Sequence, residues 1–252
     1  MRYVSARARL LTGCWNWLKK DLWQMDTQYK YKISNIGVVY EDDWFIILDK
    51  PAGLLSVAGP NKQSRNLTDI LNAELERKSV SYRLHPCHRL DKETSGLIIY
   101  AKGKSAQKKM MRLFKAKRVK KTYIAFLQGR PVQNQGRINS SVDGLSAATQ
   151  YRIIQSGRDF SVAEVFALTG RKNQIRIHFK SIGHPLVGET KFAFRRDYKL
   201  RAKRACLHAK GLEFTHPVTK ETLRLVSQLP DDLKNFLKVN PAPAGRIGFG
   251  HN

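Results

Sequence analysis

From residue 36 onward the chain alternates short apolar runs with polar breaks. Residues 38–40 and 45–48 are two such runs separated by Glu41-Asp42-Asp43, the pattern of a β-hairpin. Lys50-Pro51-Ala52-Gly53 then ends the second run with residues that leave extended structure. Residues 96–101 read as a buried strand, and further strands are predicted around 121–127, 149–154, 162–168, 206–214 and 222–226. Helical spacing takes over in four places. Residues 68–77 form one helix; residues 105–118 form a second, with Ser105 as its cap and Ala106, Met110, Leu113 and Phe114 toward the core. Residues 174–182 form a third that buries Ile175, Phe179 and Ile182, and residues 231–238 form a short fourth. Because strands mostly follow strands, the expected class is α+β: a mixed, mostly antiparallel sheet flanked by a few helices.

The two ends read differently. Leu11, Trp15, Leu18 and Leu22 recur with helical spacing among Arg2, Arg7, Arg9, Lys19 and Lys20. A helix docking its Trp and Leu face on the core is preferred there to an RNA-binding arm or an organelle transit peptide. Residues 240–252 hold two Pro and three Gly and are expected to be loose. The predicted organisation is a basic extension over 1–35, one catalytic-sized domain over 36–239, and a tail over 240–252.

Charge changes the picture most. Among 252 residues, Lys plus Arg number 46 and Asp plus Glu number 20, a formal net charge of +26. A polyanion is the natural partner of such a surface. The excess is concentrated: no acid occurs between Glu93 and Asp143. Within that stretch Lys108, Arg112 and Lys115 form a basic stripe on the second helix, the face expected to meet phosphates. A second cluster holds Arg195, Arg196, Lys199, Arg201, Lys203 and Arg204. No apolar run approaches the roughly 18 residues that a membrane helix requires, so no membrane association is expected. Three cysteines without a CxxC pair suit a reducing, cytoplasmic setting.

Common catalytic templates fail. There is no GxxxxGK[ST] loop, no GxGxxG after a strand and no GxSxG elbow. His85, Cys87 and His88 lie close together but lack metal-ligand spacing, so neither metal nor cofactor is expected. What remains is His88-Arg89-Leu90-Asp91-Lys92-Glu93-Thr94-Ser95-Gly96, a polar loop running into the buried strand. A lone Asp in such a loop is ordinarily a turn former.

In its surroundings, HRLDKETSGLIIYAK resembles the catalytic-aspartate motif of RluA-family pseudouridine synthases. Four more segments agree in order. GVVYEDDWFIILDKPAGLLSV is similar to the family's opening hairpin, and KKTYIAFLQG resembles the strand bearing its active-site tyrosine. GRKNQIRIHFKSIGHPLVGETKF and RACLHAKGLEFTHPVT resemble its third and closing segments. Two departures stand out: Asn173 where His or Arg is usual, and Gly188-Glu189-Thr190-Lys191-Phe192 in place of a Gly-Asp-x-x-Tyr-Gly pattern. The first 35 residues are too short for the S4-like domain some members carry, so a catalytic domain alone is expected.

The resemblance implies an isomerase that converts uridine to pseudouridine in a tRNA or rRNA stem-loop, as a monomer and with no cofactor. It assigns catalysis to Asp91, Tyr123 and Arg176, with the Arg176 fork on the aspartate and Tyr123 stacked on the base. Arg89 would fill the space left by a flipped base, with Lys108, Arg112 and Lys115 on the RNA backbone. His88 would support the loop by hydrogen bonding, and Lys50 and Pro51 would be structural or phosphate-facing. Two other classes compete: an inactive RNA-binding or ribosome assembly factor on the same scaffold, and a nucleoside glycosidase drawing on Glu93, which has no evident partner in the sequence.

Overall fold

The structure, a computed structural model, describes residues 31–59, 65–193 and 200–241. The amphipathic pattern near the N-terminus, the tail from residue 242, and Arg195, Arg196 and Lys199 lie outside the described residues. In chain order the elements are β1 (Tyr31–Ile33), β2 (Ile36–Glu41), β3 (Phe45–Lys50), α1 (Leu67–Arg77), β4 (Leu84–Pro86), β5 (Ser95–Lys102) and α2 (Lys104–Lys115). Then come β6 (Lys120–Gln128), β7 (Gln135–Asn139), β8 (Ala148–Ser156), β9 (Phe160–Ala167), α3 (Gln174–Ser181), β10 (Leu207–Thr215), β11 (Thr222–Val226) and α4 (Asp231–Val239). One sheet runs β1-β2-β3-β5-β10-β6-β9-β8-β7, with β4 added on β5 and β11 on β10.

The alternation of side chains along the central strands explains why helices cover the sheet. On β5, Ile98 and Tyr100 pack into a core shared with Leu67, Leu71 and Leu75 of α1. The intervening Leu97, Ile99 and Ala101 face the opposite side, against Ala106 and Met110 of α2. β6 repeats the device: Tyr123, Ala125 and Leu127 join the first core, while Ile124 and Phe126 meet Leu233 and Phe236 of α4. Burial on both faces is why these strands read as continuous apolar runs.

Among the described residues, every strand pairing is antiparallel except β5 with β10, which match only at Ser95↔His208 and Gly96↔Ala209. This narrow seam is close. A Cβ on Gly96 would sit 2.3 Å from the Ala209 carbonyl oxygen, and Gly96 has φ +110°. Both facts require glycine.

Several local expectations are corrected. Gly103, at φ +92°, precedes α2 and offers no side-chain bond, so Ser105 is not the cap. The helix stops at Lys115 because Lys117 takes a left-handed φ of +56°. Ile182 follows the end of α3 and is 37% exposed instead of buried. β7, with the sequence QGRIN, buries only Ile138 and carries no alternation that a sequence reading can detect. Lys50 is fully buried, which removes the phosphate-facing reading.

Candidate active site

Asp91 lies in the loop between β4 and β5, and its neighbours are fixed from three directions. Ser56 donates from Oγ to the Leu90 carbonyl (2.8 Å) and accepts from the Leu90 amide (3.0 Å). The Gly53 amide donates to the Lys92 carbonyl at 2.8 Å, and Lys50 Nζ adds a longer contact at 3.4 Å while also binding the carbonyls of Pro51 and Leu54. His88 Nε2 accepts from the Ile99 amide at 3.0 Å, as expected of a loop support. Burial pushes the His88 imidazole down to about 3, with Lys121 adding to the effect, so the ring stays neutral and can accept this bond. A backbone turn from the Thr94 amide to the Asp91 carbonyl completes the loop.

Arg176 enters from α3 and is 6% exposed. Its fork does not close on Asp91. Nε and Nη2 each donate at 2.7 Å to the two oxygens of Glu189, which is 4% exposed, and Nη2 also lies 3.1 Å from Glu93 Oε2. Glu189 Oε1 further accepts from the amides of Lys191 and Phe192, and the Phe192 ring lies under the guanidinium at 5.3 Å. The departure noted in the sequence at Gly188-Glu189 is therefore the direct partner of Arg176. Gly188 is glycine for its φ of +78°, and a Cβ there would collide with the Arg204 carbonyl oxygen. Glu93, without a partner in the sequence reading, faces Arg176.

Burial opposes charge on Arg176, but Glu189, then Glu93 and Asp91, outweigh it and hold the guanidinium above its ordinary value. Burial likewise opposes the Glu189 carboxylate, and Arg176 with two amides reverses the balance and lowers it. Asp91 differs. Desolvation raises it and prevails over the opposing charges of Arg176, Arg89, Lys172 and Lys50. Burial and the Asp91 charge both push the Tyr123 phenol upward, so it stays protonated at neutral pH. Burial also lowers Lys50 to about 7.

Asp91 and Tyr123 line one cleft of about 1000 Å³. Its walls hold Arg89, Lys115, Lys117, Lys120, Lys121, Arg137, Arg171 and Lys172, and Asp91 is the single carboxylate among the described residues that line it. Lys108 and Arg112 are exposed on α2 but are not among the lining residues, so only the last member of the predicted stripe reaches the cleft. Arg171 and Lys172 were missed as site residues, although both belong to the quoted GRKNQ segment and a loop of cations before a helix was the available signal. Arg204, counted in the second basic cluster, is 8% exposed and paired with Asp232. Among the described residues no group of three or more His, Cys, Asp or Glu is placed to hold a metal ion, and no helix is long and apolar enough to cross a membrane.

A cationic cleft lined by one half-buried acid and one neutral phenol, on a mixed sheet, is suited to hold a polyanion and apply acid–base chemistry to it. A family described as RNA pseudouridylate synthase matches residues 44–181. The dual-specificity RNA pseudouridine synthase RluA of Pasteurella multocida is 33% identical over 205 residues, covering 75% of this chain and 90% of that protein. Ribosomal large subunit pseudouridine synthase D of Nitrosomonas europaea is 31% identical over 233 residues, covering 84% and 67%. Among solved structures, human RNA pseudouridylate synthase domain containing 4 superimposes with a TM-score of 0.68 at 26% identity, covering 80% and 92%. The chain belongs to the RNA pseudouridylate synthase family, alongside relatives named RluA, and is accordingly an RNA-modifying isomerase.

Proposed function

We propose that this protein isomerises specific uridines in a tRNA or rRNA stem-loop, with Asp91 as the essential carboxylate. The observation that carries this reading is the composition of the cleft: among the described lining residues, eight basic side chains surround a single acid. The cations attract and hold the phosphate backbone, which supplies affinity with little sequence information. Asp91 is the carboxylate among the described lining residues, and a carboxylate can act as a nucleophile or as a proton acceptor at neutral pH. The name of the Nitrosomonas relative, which places its own substrate in the large ribosomal subunit, supports an rRNA target.

The reaction breaks the C1′–N1 bond, turns the uracil and joins C5 to C1′; C5 loses a proton and N1 ends carrying one. Nothing is oxidised and no water is consumed. A uridine in a helix is flipped out of its stack to reach Asp91, and Arg89, exposed beside the acid, occupies the space it leaves. Tyr123 offers an aromatic face to the base. Its raised phenol makes it a poor base, so its hydroxyl serves as a donor or an orienting group. Arg176, fixed by Glu189, supplies the positive field that opposes desolvation of Asp91. Its role is electrostatic, in place of the direct fork contact expected from the sequence.

The test is Asp91→Asn, assayed by tritium release from C5-labelled uridine RNA. Turnover is expected to vanish while RNA binding stays within about twofold, since the variant removes no phosphate contact. Retained turnover would refute the assignment. Pseudouridine mapping of tRNA and rRNA from cells with and without the gene identifies the RNA class and the position, and unchanged maps would favour an RNA-binding factor.

A further inference from the structure

Arg204 precedes β10, and its guanidinium is engaged on every side. Nε and Nη2 donate to Asp232 of α4 at 2.7 and 3.1 Å. Nη1 donates to the carbonyls of Glu93 (2.9 Å), Leu207 (3.1 Å) and Ala205 (3.2 Å), and Nη2 reaches Ser95 Oγ at 3.3 Å. Glu93 and Ser95 belong to the segment that carries Asp91. On this side the sheet offers that segment only the two paired positions of the β5–β10 seam. The arginine thus stands where ladder bonds are scarce.

Glu93 is held twice, its carbonyl by Arg204 and its carboxylate by Arg176. Through this one residue the position of Asp91 is tied to that of Arg176. The ultimate anchor is remote, because Asp232 lies on a helix whose docking depends on Leu233 and Phe236 in a separate apolar cluster.

We propose that Arg204, clamped by Asp232, is a positioning residue that sets the Asp91 loop against Arg176. The proposal rests on the reading of Asp91 given above and extends the working site to the C-terminal helix. Misplacing a reacting group by about 1 Å costs up to roughly 100-fold in rate without touching the substrate. A residue that only stabilised the fold would change the amount of folded enzyme and leave the turnover of each folded molecule intact.

The experiment uses the full chain and C5-tritiated total RNA from cells lacking the gene. Arg204→Lys keeps the charge and loses the fork; its kcat per folded molecule is expected to fall about 10- to 100-fold, with KM within about twofold. Asp232→Asn keeps the shape and the α4 packing but frees the guanidinium, and kcat is expected to fall about fivefold, with Asp232→Glu recovering most of it. If Arg204→Lys does not fold, Asp232→Asn decides. Wild-type kcat in the folded variant, or a rise in KM alone, overturns the proposal. Asp91→Asn assayed in parallel separates the two ideas: turnover there defeats the catalytic reading itself, whereas an inactive Asp91→Asn beside a fully active Arg204→Lys defeats only the positioning role.

Discussion

The exposed face of α2 and the wall of the cleft carry the same kind of charge, yet the structure gives them different surroundings. Lys108 and Arg112 stand in open solvent on a helix, where water and salt screen them. Arg171 and Lys172 line a concavity, and Lys172 is close enough to Asp91 to pull its pKa down. Both are exposed as well, but the walls of a cleft focus the field of such groups toward its floor. Counting basic residues along a sequence locates charge; curvature decides which charges act together.

Four variants would break or sharpen this contrast. The largest effect is expected from Arg176→Ala, which strips the cation from the buried Glu189 carboxylate and the half-buried Glu93. Breaking such a buried pair costs about 3–5 kcal/mol, read as a lowered denaturation midpoint, and kcat should fall at least about 100-fold. Near-normal turnover would show that the Asp91 field arises elsewhere. Replacing Arg171 and Lys172 together with Gln is expected to weaken RNA binding and to reduce the slope of log affinity against log salt by about 1.5, for two lost phosphate contacts. An unchanged slope would move the RNA off that wall.

The third effect concerns pH. Burial already holds Asp91 above the usual carboxylate range, and Lys172 is among the charges pulling it back. In the proposed mechanism the carboxylate is the active form, so activity is expected to be lost as pH falls through this raised value. Lys172→Gln removes one opposing charge, raises the group further and is expected to shift the acidic limb of kcat/KM toward higher pH. A limb that stays in place or moves down would contradict the assigned proximity. Smallest is the paired change Lys108→Gln and Arg112→Gln, expected to alter the salt slope by less than about 0.5, as for groups outside the phosphate path. A loss equal to that of the cleft pair would erase the distinction between the two surfaces.

Much of the fold was legible because its signals are local. The runs at 45–48 and 96–101, and the periodic Ala106 and Met110, declare strand and helix through positions a few residues apart. Strand β7 left no such trace because only Ile138 is buried, and Ile182 misled because it keeps helical spacing after the helix has ended. In the site, Asp91 and Tyr123 were visible as motif residues, and both line the cleft. Arg176 does act on Asp91 through its charge, but its fork is taken by Glu189. Spacing offers no rule for preferring Asp91 over Glu189, since either acid meets the arginine only once the chain has folded back.

Sequence alone determined most of the strand and helix pattern, the cationic total and the loop bearing the acid, because propensity, alternation and net charge are sums over neighbours. Tertiary structure decided which cations share a cavity with Asp91, that Lys50 and Arg204 are internal, and that Glu93 is held between two guanidiniums. Arg204 bonds a carbonyl 111 residues away, and such a contact is set by how the sheet closes, which neither segment encodes by itself.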